Sequence, residues 1–248
     1  MPSLDWLTAR PVAHRGLHDA AAGVIENTAS AFRAAIDGGF AIETDLQLSA
    51  DGEAMVHHDF ALGRLTLGTR QLAAMTAAGL KEVPFKDTTD KIMTLGDMCD
   101  LVAGRVPILV ELKSRFEGDR RLVKRAAEVL VNYPGPVAVM SFDPDLVQGL
   151  REIAPGLPRG IVAERHYVHQ EWKDLTRSQR RNLAFLLHAF RTRPHFVAYQ
   201  VKDLPSAGPF IARYLFGLPL MTWTVRTPED QTRAKRFANQ MIFEGFRP

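Results

Sequence analysis

The chain has 248 residues, 46% hydrophobic and 24% charged, which fits a globular protein with a sizeable core and excludes a disordered chain or a cross-linked mini-protein. Thirty-one basic against 28 acidic residues leave a net charge of +3, enough to favour an anionic substrate but too small and too dispersed for nucleic acid. The single cysteine, Cys99, excludes an intrachain disulfide and fits a reducing compartment.

Residues 1–16 hold no basic stretch followed by an apolar one, so no signal peptide is expected. No apolar run approaches the roughly 18 residues that cross a bilayer. The longest, 183–190, is flanked by Arg181, Arg191 and Arg193. A soluble, cytoplasmic protein without stable membrane insertion is the expectation. The densest basic stretches, Arg120-Arg121 with Lys124-Arg125 and Arg177 to Arg181, lie in helix-like segments and read as solvated helix faces.

The first predicted strand, 11–14, ends in His14-Arg15-Gly16. A helical stripe of Ala31, Phe32, Ala35 and Ile36 follows over 28–38. The second strand, 41–48, carries Glu43 and Asp45 two residues apart and so on one face. Asp51-Gly52 then predicts a hairpin between 46–49 and 54–57. Two short helices are expected near 71–77 and 94–102. Together these features make a small insertion, within 46–105, over one end of the fold. The third strand, 106–112, runs into Glu111 and Lys113, again two apart. A helix with Leu122, Ala126, Val129 and Leu130 inward is expected over 119–131. Further strands are predicted at 136–141, 159–163, 196–201, 218–225 and 241–243. Thr227-Pro228 marks the start of a helix over 227–238. Eight short strands alternating with helices predict an α/β fold, a (β/α)8 TIM barrel forming one domain over 1–248. The rival, an open doubly wound sheet, would place a glycine-rich turn after the first strand, where His14-Arg15-Gly16-Leu17-His18 stands instead.

Reactive groups of a barrel sit at the C-terminal ends of its strands. Three carboxylates converging from two neighbouring strands repel one another unless a positive charge sits among them, and hard oxygen ligands suit Mg²⁺ or Ca²⁺. Lys113 could instead neutralise Glu111 in a structural ion pair, so the third strand alone does not require a metal. His14 stands beside Arg15 at a strand end, and His58 precedes Asp59; both are suited to proton transfer near neutral pH.

His14-Arg15-Gly16, Glu26-Asn27-Thr28 with Ala31-Phe32, Glu43-Thr44-Asp45, Asp51-Gly52 and His58-Asp59 follow one another in an order and spacing that resembles the signature of the glycerophosphodiester phosphodiesterase family. VELK at 110–113 and TWTV at 222–225 extend the likeness to later strands, although it is densest between residues 14 and 59. The resemblance implies a barrel and a bound divalent cation, with Glu43, Asp45 and Glu111 as metal ligands. It implies His14 and His58 as the general acid/base pair, with Arg15 and Lys113 binding the phosphate. Glu26 and Asn27 are expected to order the first loop, with Asn27 also a candidate helix N-cap. Trp223 either lines the substrate cleft or is a buried aromatic of the seventh strand.

Two segments depart from the family pattern: Gly63-Arg64-Leu65-Thr66 replaces the more usual acidic-Arg-Thr-Thr run, and the last strand reads MIFEGF rather than a GIITD-like stretch. They bear on which alcohol is accepted, as does the loop holding His166, His169 and Trp172, whose other reading is a surface loop. The expected reaction is hydrolysis of a small-molecule glycerophosphodiester to sn-glycerol 3-phosphate and an alcohol. One alternative is a phospholipase D-like or C-like relative acting on lysophospholipids or phosphoinositides. Another, of a different class, is a barrel that binds a phosphoester without turning it over.

Overall fold

The computed structural model describes residues 4–169 and 172–248. Nine strands form one sheet: β1 (Val12–Ala13), β2 (Ala41–Leu48), β3 (Ala54–Val56), β4 (Ile108–Leu112), β5 (Val137–Ser141), β6 (Arg159–Ala163), β7 (Phe196–Gln200), β8 (Leu220–Val225) and β9 (Gln240–Phe243). All except β3 run parallel, and β1 pairs with both β2 and β9, which closes eight strands into a barrel. β3 adds to β2 as an antiparallel hairpin through the predicted Asp51-Gly52 turn, with Leu46 opposite Val56.

Alternate residues of each strand face the lumen, and these lumen residues form a core of their own. Val12, Ala41, Leu109, Met140, Val162, Ala198, Met221 and Ile242 pack there. The opposite faces of the strands, including Ile42, Leu46, Val110 and Val139, pack against the helices. Leu7, from the short helix Asp5–Thr8, joins the lumen core. The floor contains one close fit: a Cβ on Gly160 would lie 2.3 Å from the Phe196 ring, so only glycine lets that ring occupy the lumen.

Helices follow the strands as the apolar stripes predict. The first long one spans Ala29–Asp37 and is capped by Thr28, whose hydroxyl accepts from the Ala31 backbone N–H. Asn27 is therefore not the N-cap. Its φ of +56° and its buried side chain commit it to other contacts. Helices Arg121–Leu130 and Pro228–Phe237 fall where expected, the latter with a Thr227–Asp230 capping box.

The segment between β2 and β4 has a small apolar cluster of its own, built around Met55, Leu72, Leu80, Phe85 and Ile92. The helix expected near 71–77 is instead a 3₁₀ turn at Leu72–Ala74 followed by a helix at Ala77–Lys81. Met75 is extended, and the Thr76 hydroxyl caps the second helix by accepting from the Gly79 N–H, so the cap divides the pattern in two. The helix expected near 94–102 forms at Leu95–Val102 behind a Thr94–Asp97 capping box.

Candidate active site

Most lumen faces run apolar and then turn polar at the cleft end, whereas those of β5 and β8 continue into Phe142 and Trp223. One or two lumen positions beyond the core layer stand His14 after β1, Glu43 and Asp45 on β2, Glu111 at the end of β4 with Lys113 just after it, Gln200 on β7 and Glu244 after β9. With His58, which follows β3, they reach the C-terminal end of the barrel. There a cleft of about 510 Å³ is lined by His14, Arg15, Glu43, His58, Glu111 and Lys113, among others.

The register places Asp45 directly beside Glu111. Glu43, Asp45 and Glu111 are all buried and offer ligand oxygens within 4.8 Å of one another. Two cations adjoin them. Lys113 Nζ lies 2.9 Å from Asp45 Oδ1 and 2.6 Å from Glu111 Oε1. Arg15 Nε lies 3.2 Å from Asp45 Oδ2, and the Arg15 backbone N–H donates to Glu43 Oε2 at 3.0 Å. Although Asp45 is buried, Lys113 and Arg15 hold its carboxyl well below the usual range. Burial and the neighbouring Asp45 and Glu111 charges push Glu43 well above it, and burial raises Glu111 against the opposing pull of Lys113. Two cations thus leave three buried carboxylates incompletely compensated. A divalent cation among these oxygens would supply the missing charge, and the all-oxygen donor set fits Mg²⁺ or Ca²⁺.

The first loop is built to hold this cluster. Arg15 and Asn27 both adopt φ +56°, a conformation that costs on the order of 1–3 kcal/mol for residues other than glycine. The Asn27 N–H donates to the Arg15 carbonyl at 2.9 Å; its side-chain amide donates to Asp45 Oδ2 at 2.9 Å and accepts from the Thr44 hydroxyl at 2.8 Å. Gly16, at φ +81°, lies so close to the following helix that a Cβ would come within 2.8 Å of Ala31. Glu26 receives Arg15 at 2.7 Å and Arg64 at 2.7 Å, and these two cations bring its carboxyl down to about 2 despite burial.

Both cleft histidines are held by a carboxylate at Nδ1. His14 Nδ1 is 2.6 Å from Glu244 Oε2, while its Nε2 points toward Glu43 Oε2 at 3.9 Å. Burial lowers its pKa to about 4 against the pull of Glu244, so the ring is neutral near pH 7. His58 Nδ1 is 2.7 Å from Asp59 Oδ1, and Arg64 Nε grips the other Asp59 oxygen at 2.6 Å. In each ring Nε2 is left for proton exchange. His57, by contrast, is buried and absent from the cleft lining; its backbone N–H donates to the Asp45 carbonyl.

Trp223 lines the cleft, with its ring 5.4 Å from Phe142, which in turn packs against Trp172 at 4.8 Å. His169 and Trp172 line the same wall. His166 is exposed, lies 3.7 Å from Asp203 and is not part of the lining.

Sequence reasoning misses Glu244 and the role of Arg64, whereas Asp59, whose place after His58 marks it as part of that ring's environment, holds the ring at Nδ1. A signal for Glu244 exists: it directly follows the last predicted strand, the position where barrels carry their reactive groups. Arg64 lies in a loop and its partners are set only by the fold.

The sequence profile of the Glycerophosphoryl diester phosphodiesterase family matches residues 14–245. A glycerophosphodiester phosphodiesterase of Caldanaerobacter subterraneus is 28% identical over 236 residues, covering 90% of this chain and 88% of its own. Among solved structures, a glycerophosphodiester phosphodiesterase of Thermotoga maritima superposes with a TM-score of 0.70 at 25% identity, covering 94% of each chain. An Oleispira antarctica phosphodiesterase in complex with the product sn-glycerol-3-phosphate superposes at 0.77 with 17% identity, covering 96% of this chain and 94% of its own. The last likeness is one of fold.

Proposed function

The chain belongs to the glycerophosphoryl diester phosphodiesterase family, enzymes that cleave phosphodiesters, and from that premise we propose that it hydrolyses glycerophosphodiesters to sn-glycerol 3-phosphate and an alcohol by two-histidine acid/base catalysis. One observation carries the reading. Glu43 and Glu111 line the same cleft as two histidines, each oriented by its own carboxylate, and the buried Asp45 lies within 4.8 Å of both, so the three together could hold a divalent cation. Glu43, Asp45 and Glu111 would hold the cation, Mg²⁺ or Ca²⁺. When bound, it supplies charge stabilisation at the phosphoryl oxygens.

Arg15 and Lys113 stand at the floor of the cleft, paired to the carboxylates, with their charge available to an incoming phosphate. One histidine Nε2 removes a proton from the nucleophile and the other protonates the departing alkoxide. With the three carboxylates committed, these two rings are the groups this reading leaves for proton transfer. They suffice if the glycerol 2-hydroxyl attacks phosphorus internally, giving a cyclic phosphate that water then opens. A tethered nucleophile gains much of its barrier reduction from effective concentration. Asp59 and Glu244 keep both rings in the required tautomer. Trp223, Phe142 and Trp172 form the wall against which the alcohol group would rest.

Turnover of glycerophosphocholine and of its 2-deoxy analogue, which share a leaving group, tests this. The expected result is release of sn-glycerol 3-phosphate from the first and almost no turnover of the second at saturation. Comparable turnover of both would eliminate internal attack, and no release from any glycerophosphodiester would eliminate the substrate class.

A further inference from the structure

Residues 175–217, which reach the cleft at Gln200, carry seven basic side chains and one acidic, a net +6 against +3 for the whole chain, so the other 205 residues sum to −3. This segment also holds most of the large apolar side chains exposed to solvent. Phe190 is 82% exposed, Leu215 74% and Phe216 58%. The rings of Phe190 and Phe216 meet edge to face at 6.4 Å, which joins the short helix Ala189–Thr192 before β7 to the loop before β8. Beside them Phe210 and Tyr214, both more than half exposed, pack at 4.7 Å on the helix Ala207–Tyr214. That helix fits tightly against the end of the helix Arg177–Ala184: a Cβ on Gly208 would lie 3.2 Å from the Ala184 carbonyl. Between the two helices runs an apolar groove of about 210 Å³ lined by Phe185, Leu187 and Ile211, with Arg181 at its edge.

Arg177, Arg181, Arg191 and Arg193 are exposed in the same segment, and Arg181 lines the groove. Of these, only Arg191 has an ion-pair partner among the described residues, Asp145 at 2.6 Å. Within the basic stretch Arg177 to Arg181, read from sequence as a solvated helix face, Arg181 borders the apolar groove.

We infer that this surface docks the protein peripherally on an anionic lipid bilayer, its aromatic and leucine side chains entering the interface and its arginines meeting lipid phosphates. Aromatic rings together with basic side chains are what an anionic interface selects. A second copy of the chain is the poorer occupant. A two-fold contact would lay the same patch on itself and bring the unpaired arginines of both copies together. No helix among the described residues is long and apolar enough to cross a membrane, so the docking is one of surface adsorption. This goes beyond the proposed reaction and does not depend on it.

Cosedimentation with vesicles of phosphatidylglycerol and phosphatidylcholine, against vesicles of phosphatidylcholine alone, tests the inference. The full chain is expected to bind the anionic vesicles, to bind the zwitterionic ones at least roughly tenfold more weakly, and to be released by added salt. Arg177→Gln, Arg181→Gln and Arg193→Gln should each weaken binding roughly fivefold. Phe190→Ser combined with Phe216→Ser should abolish binding while turnover of a water-soluble diester is unchanged, which also shows that the variant is folded. Absence of binding to anionic vesicles, or equal binding by the Phe190→Ser/Phe216→Ser variant, would overturn the proposal. So would a dimer in sedimentation velocity that this variant dissociates, because the surface would then belong to a second copy.

Discussion

His57 and His58 are neighbours in sequence and opposites in the structure. His58 opens into the cleft with Nδ1 held by Asp59, whereas His57 is buried and its burial lowers the ring's pKa. Acid/base work costs about 10²–10⁴-fold when its group is removed. His58→Ala should therefore lose turnover on that scale and His57→Ala far less, measured as kcat on variants whose circular dichroism matches the parent. The reverse ranking would refute the assignment. At this scale the sequence was informative where local geometry decides. Glu43 and Asp45 sit two apart on a strand, as do Glu111 and Lys113, and a period of two puts each pair on one face without knowledge of the fold. It was silent where partners meet through closure. His14 and Glu244 are separated by 230 residues and meet because β1 lies beside β9. Asn27, expected to order the first loop and also a candidate cap, does not cap the helix: its dihedral and its bond to Asp45 tie the loop to the carboxylate cluster.

The strands were legible because each is a short apolar run bounded by turn residues, and buried parallel strands have that composition. Helix boundaries held where a cap residue announces them, at Thr28, Thr94 and Thr227. Between 71 and 81 the apolar pattern was continuous but Thr76 capped a new helix inside it. Which strand residues fill the lumen was not legible, since that depends on barrel register. Gly160 shows this: in sequence it is an unexplained glycine in a strand, and in the fold it makes room for Phe196. Overpacking of this kind costs about 1–3 kcal/mol. Gly160→Ala should lower the unfolding free energy by that amount and the denaturation midpoint with it, and adding Phe196→Leu should recover part of the loss. An unchanged midpoint for Gly160→Ala, or no coupling between the two substitutions, would contradict this packing.

Across the whole molecule, three properties are spatially separated. The apolar lumen core ends at the layer where the carboxylates begin, so the cluster is desolvated on the barrel side and reachable from the cleft. The excess positive charge gathers on residues 175–217, while the rest of the chain is net negative. From sequence the charge seemed merely mild and dispersed, because an average over 248 residues hides a segment of 43. The order of strands and helices made the barrel readable in outline; the exposed aromatic surface became visible only when the segments before β7 and β8 were brought together. The proposed reaction depends on a divalent cation held by the buried carboxylates Glu43, Asp45 and Glu111. The most direct measurement of that dependence is turnover of glycerophosphocholine after exhaustive chelation, with elemental analysis of the same sample and stepwise return of Mg²⁺ or Ca²⁺. The expected result is loss of activity by several orders of magnitude on metal removal, as befits several kcal/mol of lost charge stabilisation, and recovery on add-back. Full activity in a sample shown to contain no metal would contradict the account.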